Sequence, residues 1–293
     1  MSTDKPSMTI IGPGKVGRAI GRVAHRVGWP VVAAAGGTHP DRTKEFAAAV
    51  GASVGRLAEA AAAGQLVLLT VKDQAIQPVC QQLAAAGGLD HKPIVAHCSG
   101  ALDSDALAAA ADLGCPVGTM HPLQTFPSAE AAIARLPGTY WFIEGGPDAA
   151  GALDALAEAM GGRAVRIDAA VKPLYHAAAV MSANYITTLL DAAVDLYAAT
   201  GLERESALQA AAPIARATVS NVLEQGTEAS LTGPIARGDV ETVCRHVAAL
   251  GQHDPAVADL YRAVGRRTVK LALRKGTIDE STAAELTDLL GKE

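Results

Sequence analysis

"IIGPGKVGRAIG", residues 10–21, decides how the rest of this chain is read. A short apolar run breaks into Gly12, Gly14 and Gly17 with the spacing G-x-G-x-x-G. Apolar residues then recur at helical intervals through Val16, Ile20, Val23, Ala24 and Val27. A strand that enters a helix through such a loop suits a dinucleotide. The first glycine permits the tight turn, the second lets the backbone approach a pyrophosphate, and the third lets the helix lie close on the sheet. The N–H groups of the first helical turn would face the phosphate charge. The expected cradle is Gly12, Pro13, Gly14, Lys15, Val16 and Gly17. A tight turn without a ligand is the alternative.

Working outward, "WPVVAAA", "LVLLTV" and "PIVAHC" are near-continuous apolar runs of strand length, as expected of parallel strands covered on both faces. "PDRTKEFAAAVG", "DQAIQPVCQQLAAAG" and "DSDALAAAADLG" supply helices between them, and "PVGTMH", "GTYWFIEGG" and "GRAVRID" add further strands. This alternation predicts a doubly wound α/β domain over 1–167. Beyond it the period changes to long helical patterns, starting with "VKPLYHAAAVMSANYITTLLDAAVDLYAATG", in which Gly201 is the expected stop. Residues 168–293 therefore read as a mainly α-helical second domain for substrate and dimerisation. Pro213 is expected to kink or interrupt one helix.

With 293 residues and 49% hydrophobic content, the chain can build two cores, although aromatic residues contribute only 3%. A net charge of −5 gives no nucleic-acid footprint. No uninterrupted apolar run approaches the ~18 residues of a membrane span, and the N-terminus is polar. Cys80, Cys98, Cys115 and Cys244 lack metal or redox spacing and read as reduced thiols of a cytoplasmic protein; no metal is expected.

An NAD site usually places an acid about 20 residues beyond the glycines. Here "VVAAAGGTHPDRTK" has none before Asp41, while Thr38, His39, Arg42 and Lys44 crowd the place of a 2′-phosphate. NADP is favoured over NAD, and a deazaflavin is a further alternative on this scaffold. Val71 and Lys72, after "LVLLTV", should border the cofactor, because ligands lie beyond the carboxyl ends of such strands. "AHCSGALD" and "TMHPLQTF" should open there too. They bring Ser99 and His121 within reach of each other, with His121 as acid/base and Ser99 orienting its ring. A histidine bonded in a turn before Pro122, and a serine that merely caps a helix, are the plainer readings. Lys172 and His176, four apart, share a helix face, and Asn184 follows two turns on. A solvated helix entry and an interhelical polar contact compete with catalytic roles for Lys172 and Asn184. Thr232, Gly233 and Arg237 could meet a substrate carboxylate, or simply join two helices with Asp239 as a cap.

"IIGPGKVGRAIG", "VLLTVKDQAI", "AHCSGAL", "GTMHPLQTF", "YHAAAVMSANY" and "LTGPIARGDVETV" together resemble bacterial predicted oxidoreductases with a Rossmann-like N-terminal domain and a C-terminal domain of unknown function. The chain is similar, more distantly, to pyrroline-carboxylate reductases, ketopantoate reductases and phosphogluconate-dehydrogenase-like enzymes, which often dimerise through a helical second domain. Prephenate dehydrogenases resemble it at His121-Pro122 and Ser99, which implies that His121 takes the substrate's proton. Hydroxyisobutyrate-type dehydrogenases resemble it at Lys172, but the position four residues on is His176, and Asn184 lies further away. His121 therefore ranks above Lys172.

The sequence thus predicts an NADP-dependent oxidoreductase of a small keto, hydroxy or imino acid. The expected catalytic set is His121, Ser99, Lys172, His176 and Asn184. The expected partners are the small-molecule substrate and a second copy of the chain, with no nucleic acid or membrane. A non-catalytic protein that binds a nucleotide or metabolite is the alternative.

Overall fold

The computed structural model describes residues 5–36 and 39–291. One sheet takes the order β3-β2-β1-β4-β5-β6-β7-β8. Its strands are β1 (Met8–Ile11), β2 (Val31–Ala35), β3 (Ser53–Val54), β4 (Leu66–Leu69), β5 (Ile94–His97), β6 (Val117–Pro122), β7 (Tyr140–Gly145) and β8 (Arg163–Arg166). Pairing is parallel up to β6; β7 then runs antiparallel to β6, and β8 parallel to β7. The helices of this region are α1 (Lys15–Arg26), α2 (Pro40–Val50), α3 (Leu57–Ala63), α4 (Asp73–Ala85), α5 (Ala108–Ala111), α6 (Ala129–Arg135) and α7 (Pro147–Ala159).

Strand period two sorts the apolar runs onto two faces. Met8, Ile10, Leu66, Leu68, Ala96, Met120, Trp141 and Ile143 pack with α1, α2, α6 and α7. Ile11, Ala35, Val67, Leu69 and Val95 pack with α3, α4 and α5. Double coverage explains why β1, β4 and β5 read as continuous hydrophobic runs. On β6 and β7 the second face turns polar. Thr119, level with His97, alternates with Gly118 and Met120, and Glu144 stands opposite it.

Two compact units divide the chain, Met1–Ala183 and Asn184–Glu293. The boundary expected at 167/168 marks the end of the last strand. The contacts instead divide inside the long helix α8 (Lys172–Ala198), because Lys172, Tyr175 and His176 in its first turns pack against the sheet region. The second unit continues with α9 (Arg204–Gln225), α10 (Thr227–Ser230), α11 (Val240–His253), α12 (Pro255–Lys275) and α13 (Glu280–Gly291). Its core is Ile235, Val243, Val269, Ala272, Ala283, Leu286 and Leu290. Aspartates start three of these helices: Asp239 accepts from Thr242 N–H (3.0 Å), Asp254 from Ala256 N–H (2.9 Å) and Asp279 from Thr282 N–H (2.8 Å). Pro213 lies inside α9, which continues through it, so the expected interruption does not occur.

The segment Ala169–Ala198 is long and apolar enough to cross a membrane by length and composition alone, and only 6% of its most apolar window is buried. Tyr185 and Leu189 of α8, and Leu208, Ile214 and Leu223 of α9, are exposed.

Candidate active site

The glycine loop forms around backbone. Gly12 takes φ +79°, and a Cβ there would stand 2.4 Å from Val71 Cγ1. A Cβ on Gly17 would stand 2.1 Å from Thr70 Oγ1, so only glycine lets α1 approach β4 this closely. At Gly14 the nearest atom is the Gly12 carbonyl oxygen, 3.8 Å away, which leaves that side of the loop open. Gly12 N–H donates to Ala35 O (2.8 Å), and the Thr70 hydroxyl donates to Gly12 O (2.8 Å), fixing the turn. No side chain caps α1, and its first turn has no acid. These features fit a dinucleotide pyrophosphate: an open backbone face, exposed Gly14 and Lys15, and a positive helix end without competing charge. Pro13 is buried within the loop, and Val16 is half-buried against the core. Half-buried Val71 backs the turn, and exposed Lys72 precedes α4. His39 precedes α2 and Arg42 lies in its first turn, both exposed. Thr38 lies outside the described residues.

The second half of the site is built on the polar face of β6 and β7. In an antiparallel pair, opposite residues share a face, and His121 stands opposite Phe142. Residues three apart on a helix also share a face, so Lys172 and Tyr175 of α8 meet successive positions of β6. Lys172 Nζ donates to Thr119 Oγ1 (2.7 Å) and to the Ser99 carbonyl (3.4 Å). Tyr175 stacks on Phe142 (centroids 4.1 Å apart), and its hydroxyl lies 2.5 Å from His121 Nδ1. His176 meets His121 edge-on at 6.1 Å. Gly100 completes the wall: a Cβ there would stand 2.9 Å from His121 Nε2 and 2.7 Å from His176 Cδ2. Glycine thus leaves both rings in place, with no side chain at position 100 against the Nε2 edge of His121.

Burial sets the charges. The His121 pKa is lowered to about 4, first by loss of solvent and then by the nearby His176 and Lys172, so the ring is neutral at pH 7. Lys172 is 1% exposed, and burial lowers its pKa, opposed by Glu144, Asp103, Cys98 and Asp73. Glu144 accepts from the Ser104 hydroxyl (2.7 Å) and from Ser104 N–H (2.9 Å). His97 is buried too, with its pKa lowered to about 4 mainly by burial. Its Nδ1 accepts from Ser99 N–H (3.2 Å), so its proton sits on Nε2 and is donated to the Asp103 carbonyl (2.9 Å).

Among the residues singled out from sequence, His121, His176 and Lys172 come together in the first unit. Ser99 joins them through its backbone. Its hydroxyl does not reach His121; it donates to Asp73 Oδ2 (2.8 Å) and accepts from Ala101 and Leu102 N–H. The turn after β5 supplies nearer partners, and Tyr175 takes the ring position expected of Ser99. Lys172 is buried, contrary to a solvated helix entry. Asn184 is an exposed residue of the second unit. In that unit Thr232 helps line an apolar cavity of about 290 Å3, and Arg237 is exposed. Among the described residues no group of three or more His, Cys, Asp or Glu side chains could hold a metal ion. Sequence reading missed Tyr175, Phe142, Glu144 and Gly100. The signals were present: Phe142 and Glu144 alternate on β7, and Tyr175 follows Lys172 by three.

Comparison with known proteins bears on this architecture. Residues 1–122 match the model of a Rossmann-like domain, and residues 139–268 match a domain of unknown function, DUF2520. The chain joins a Rossmann-like domain to a DUF2520 domain. The DUF2520 match begins at Thr139, beside β7, so it includes the last two strands of the sheet as well as the helices up to Thr268. Among curated proteins nothing matches the chain. Among solved structures, a proposed NADP oxidoreductase from Bacteroides fragilis is 23% identical with TM-score 0.69, over 90% of this chain and 97% of that one. A pyrroline carboxylate reductase from Plasmodium falciparum, solved with NADP bound, is 11% identical with TM-score 0.59, over 97% and 98%. A variant imine reductase from Myxococcus stipitatus, solved with NAD+, is 17% identical with TM-score 0.60, over 97% and 99%. At these identities the likeness is one of fold.

Proposed function

We propose that this protein is an NADP-dependent oxidoreductase of a small keto, hydroxy or imino acid. The observation that carries the proposal is a pair of structures at the carboxyl ends of parallel strands in one sheet, where ligands of open α/β sheets bind. One is the open glycine cradle after β1; the other is the histidine cluster at the end of β6. A nicotinamide dinucleotide supplies or accepts the hydride when bound, and the cradle residues Gly12 to Gly17 would hold its pyrophosphate. The chain's own residues orient and polarise the group that takes the hydride. His121 presents Nε2 to the substrate's reacting oxygen or nitrogen, His176 flanks it, and Tyr175 with Phe142 walls off water. Lys172 holds Thr119 and the Ser99 carbonyl in place. NADP is preferred because no acid stands between β2 and Asp41, whereas His39 and Arg42 are exposed there. The relatives solved with NADP and NAD+ support a nicotinamide cofactor.

The test is thermal unfolding with NADPH and with NADH, followed by NADPH oxidation across a panel of keto and imino acids. Stabilisation by NADPH together with turnover of one panel member is expected. Stabilisation without any turnover would leave a nucleotide-binding protein, and no stabilisation would remove the proposal.

We also propose a homodimer in which a second copy covers the exposed apolar residues of α8 and α9 in the second unit. Leu223 is 81% exposed and Ile214 64%, and such exposed apolar side chains favour a partner surface. Sedimentation should find a dimer at micromolar concentration, and a Leu223→Asp, Ile214→Asp double variant should be monomeric. A monomeric wild type would end this proposal.

A further inference from the structure

We propose that Tyr175 is the positioning residue for His121: its hydroxyl donates to Nδ1 and so fixes the ring's proton on Nε2, the edge that faces Gly100. The role this gives His121 rests on the oxidoreductase reading above, but the bond itself does not. The geometry comes first. Tyr175 Oη and His121 Nδ1 are 2.5 Å apart, and the phenol is held from its other side by stacking on Phe142, the strand partner of His121. Three elements, β6, β7 and α8, therefore set one contact. A neutral imidazole has one donor and one acceptor nitrogen, so this bond decides which is which. Two arrangements are open. A phenol hydrogen is far more acidic than an imidazole N–H, and an imidazole lone pair is a better acceptor than a phenol oxygen. The pair therefore settles as O–H···N with the phenol donating.

Burial reinforces that choice from both partners: it raises the Tyr175 pKa, keeping the phenol protonated, and lowers that of His121, keeping the ring neutral. The same logic operates openly at His97, where Ser99 N–H donates to Nδ1 and leaves the proton on Nε2. The buried His97 of β5 and the partly buried His121 of β6 thus share a tautomer, one set by a backbone amide and the other by a side chain brought from α8.

The consequence concerns the substrate. His121 offers a hydrogen, not a lone pair, at its Nε2 edge. The group it receives is a hydrogen-bond acceptor: a carbonyl or hydroxyl oxygen, or an unprotonated imine nitrogen. A protonated iminium, itself a donor, would meet Nε2–H head to head. The site is thereby matched to a neutral acceptor.

Nitrogen-15 NMR of histidine-labelled protein tests this directly, with the His121 signal assigned by its loss in His121→Asn. The wild type at pH 7 should show His121 protonated at Nε2, with Nδ1 an engaged acceptor. In Tyr175→Phe, which keeps the stacking on Phe142, Nδ1 should move toward the position of a free lone pair and the two tautomers should mix. A wild-type ring protonated at Nδ1 overturns the proposal, and so does a Tyr175→Phe spectrum identical to the wild type. If Tyr175→Phe fails to fold, the wild-type spectrum alone decides. This readout requires no turnover, so a chain that oxidises no NADPH would sink the proposed activity and leave the tautomer to be judged separately.

Discussion

The two halves of the candidate site are made in opposite ways. After β1 the recognition surface is backbone: three glycines within six residues, an uncapped helix, and exposed flanks. At the end of β6 it is side chain: His121, Tyr175, His176 and Lys172 come from two segments about fifty residues apart and are partly or wholly buried. The first half is local and wet, and its geometry follows from which residues lack a Cβ. The second is assembled by topology, and its chemistry follows from desolvation. A cradle of the first kind tolerates change around it, whereas a cluster of the second kind depends on every neighbour.

Substitutions can break the two halves apart. The largest effect is expected for His121→Ala, which should lower turnover about 10²–10³-fold, as loss of a hydrogen-bond donor aimed at the reacting atom does, while thermal stabilisation by NADPH stays intact. A parallel loss of NADPH stabilisation would mean that the halves are not separable. The cradle should show the reverse. Gly17→Val forces side-chain atoms into Thr70 and should abolish the NADPH-induced stabilisation, normally about 2.7 kcal/mol at 100 times Kd. The circular-dichroism spectrum should be retained; equal stabilisation of wild type and variant would count against the cradle.

Acid should attack the buried half. The His97 pKa is lowered from 6.5 to about 4 in the folded chain. Above pH 6.5 both folded and unfolded forms are neutral, and its full contribution is present. Below that the unfolded chain takes up a proton that the folded chain refuses, so stability falls as pH drops from about 6.5 to 4, by on the order of 3 kcal/mol. Partly exposed His121 acts in the same direction, by a smaller amount. Urea midpoints across this range should fall steeply in the wild type and less steeply in His97→Gln; parallel slopes would refute the assignment. The smallest effect belongs to the edge of the cradle. Arg42→Ala should narrow the preference for NADPH over NADH by about tenfold, equivalent to ~1.4 kcal/mol, and an unchanged ratio of Kd values would remove Arg42 from phosphate recognition.

Much of this was legible in the sequence, for specific reasons. The runs "LVLLTV" and "PIVAHC" fall on β4 and β5, because strands covered on both faces must be apolar throughout. The helix over Pro40–Val50 ends at Gly51 in the left-handed conformation, as its pattern implied. His121 was singled out because an ionisable residue at the end of a strand stands out against apolar neighbours. Tyr175 was not, because a tyrosine in an alanine-rich helix looks like packing until the strand opposite it is known. Ser99 misled for a related reason. Its place after β5 was right, yet a hydroxyl bonds whatever acceptor its turn presents, and that acceptor is Asp73.

The glycine loop, the alternation of strands and helices, and the change to helical periods beyond the last strand can be read from the chain alone, because each depends on residues near one another in it. That β7 turns back against β6, that Lys172 is buried, and that Tyr175 rather than Ser99 holds His121 emerge only from the fold. Those outcomes depend on which segments become neighbours once the sheet has closed around its core. Burial then fixes their protonation and partners, and neither is written in any short stretch of residues.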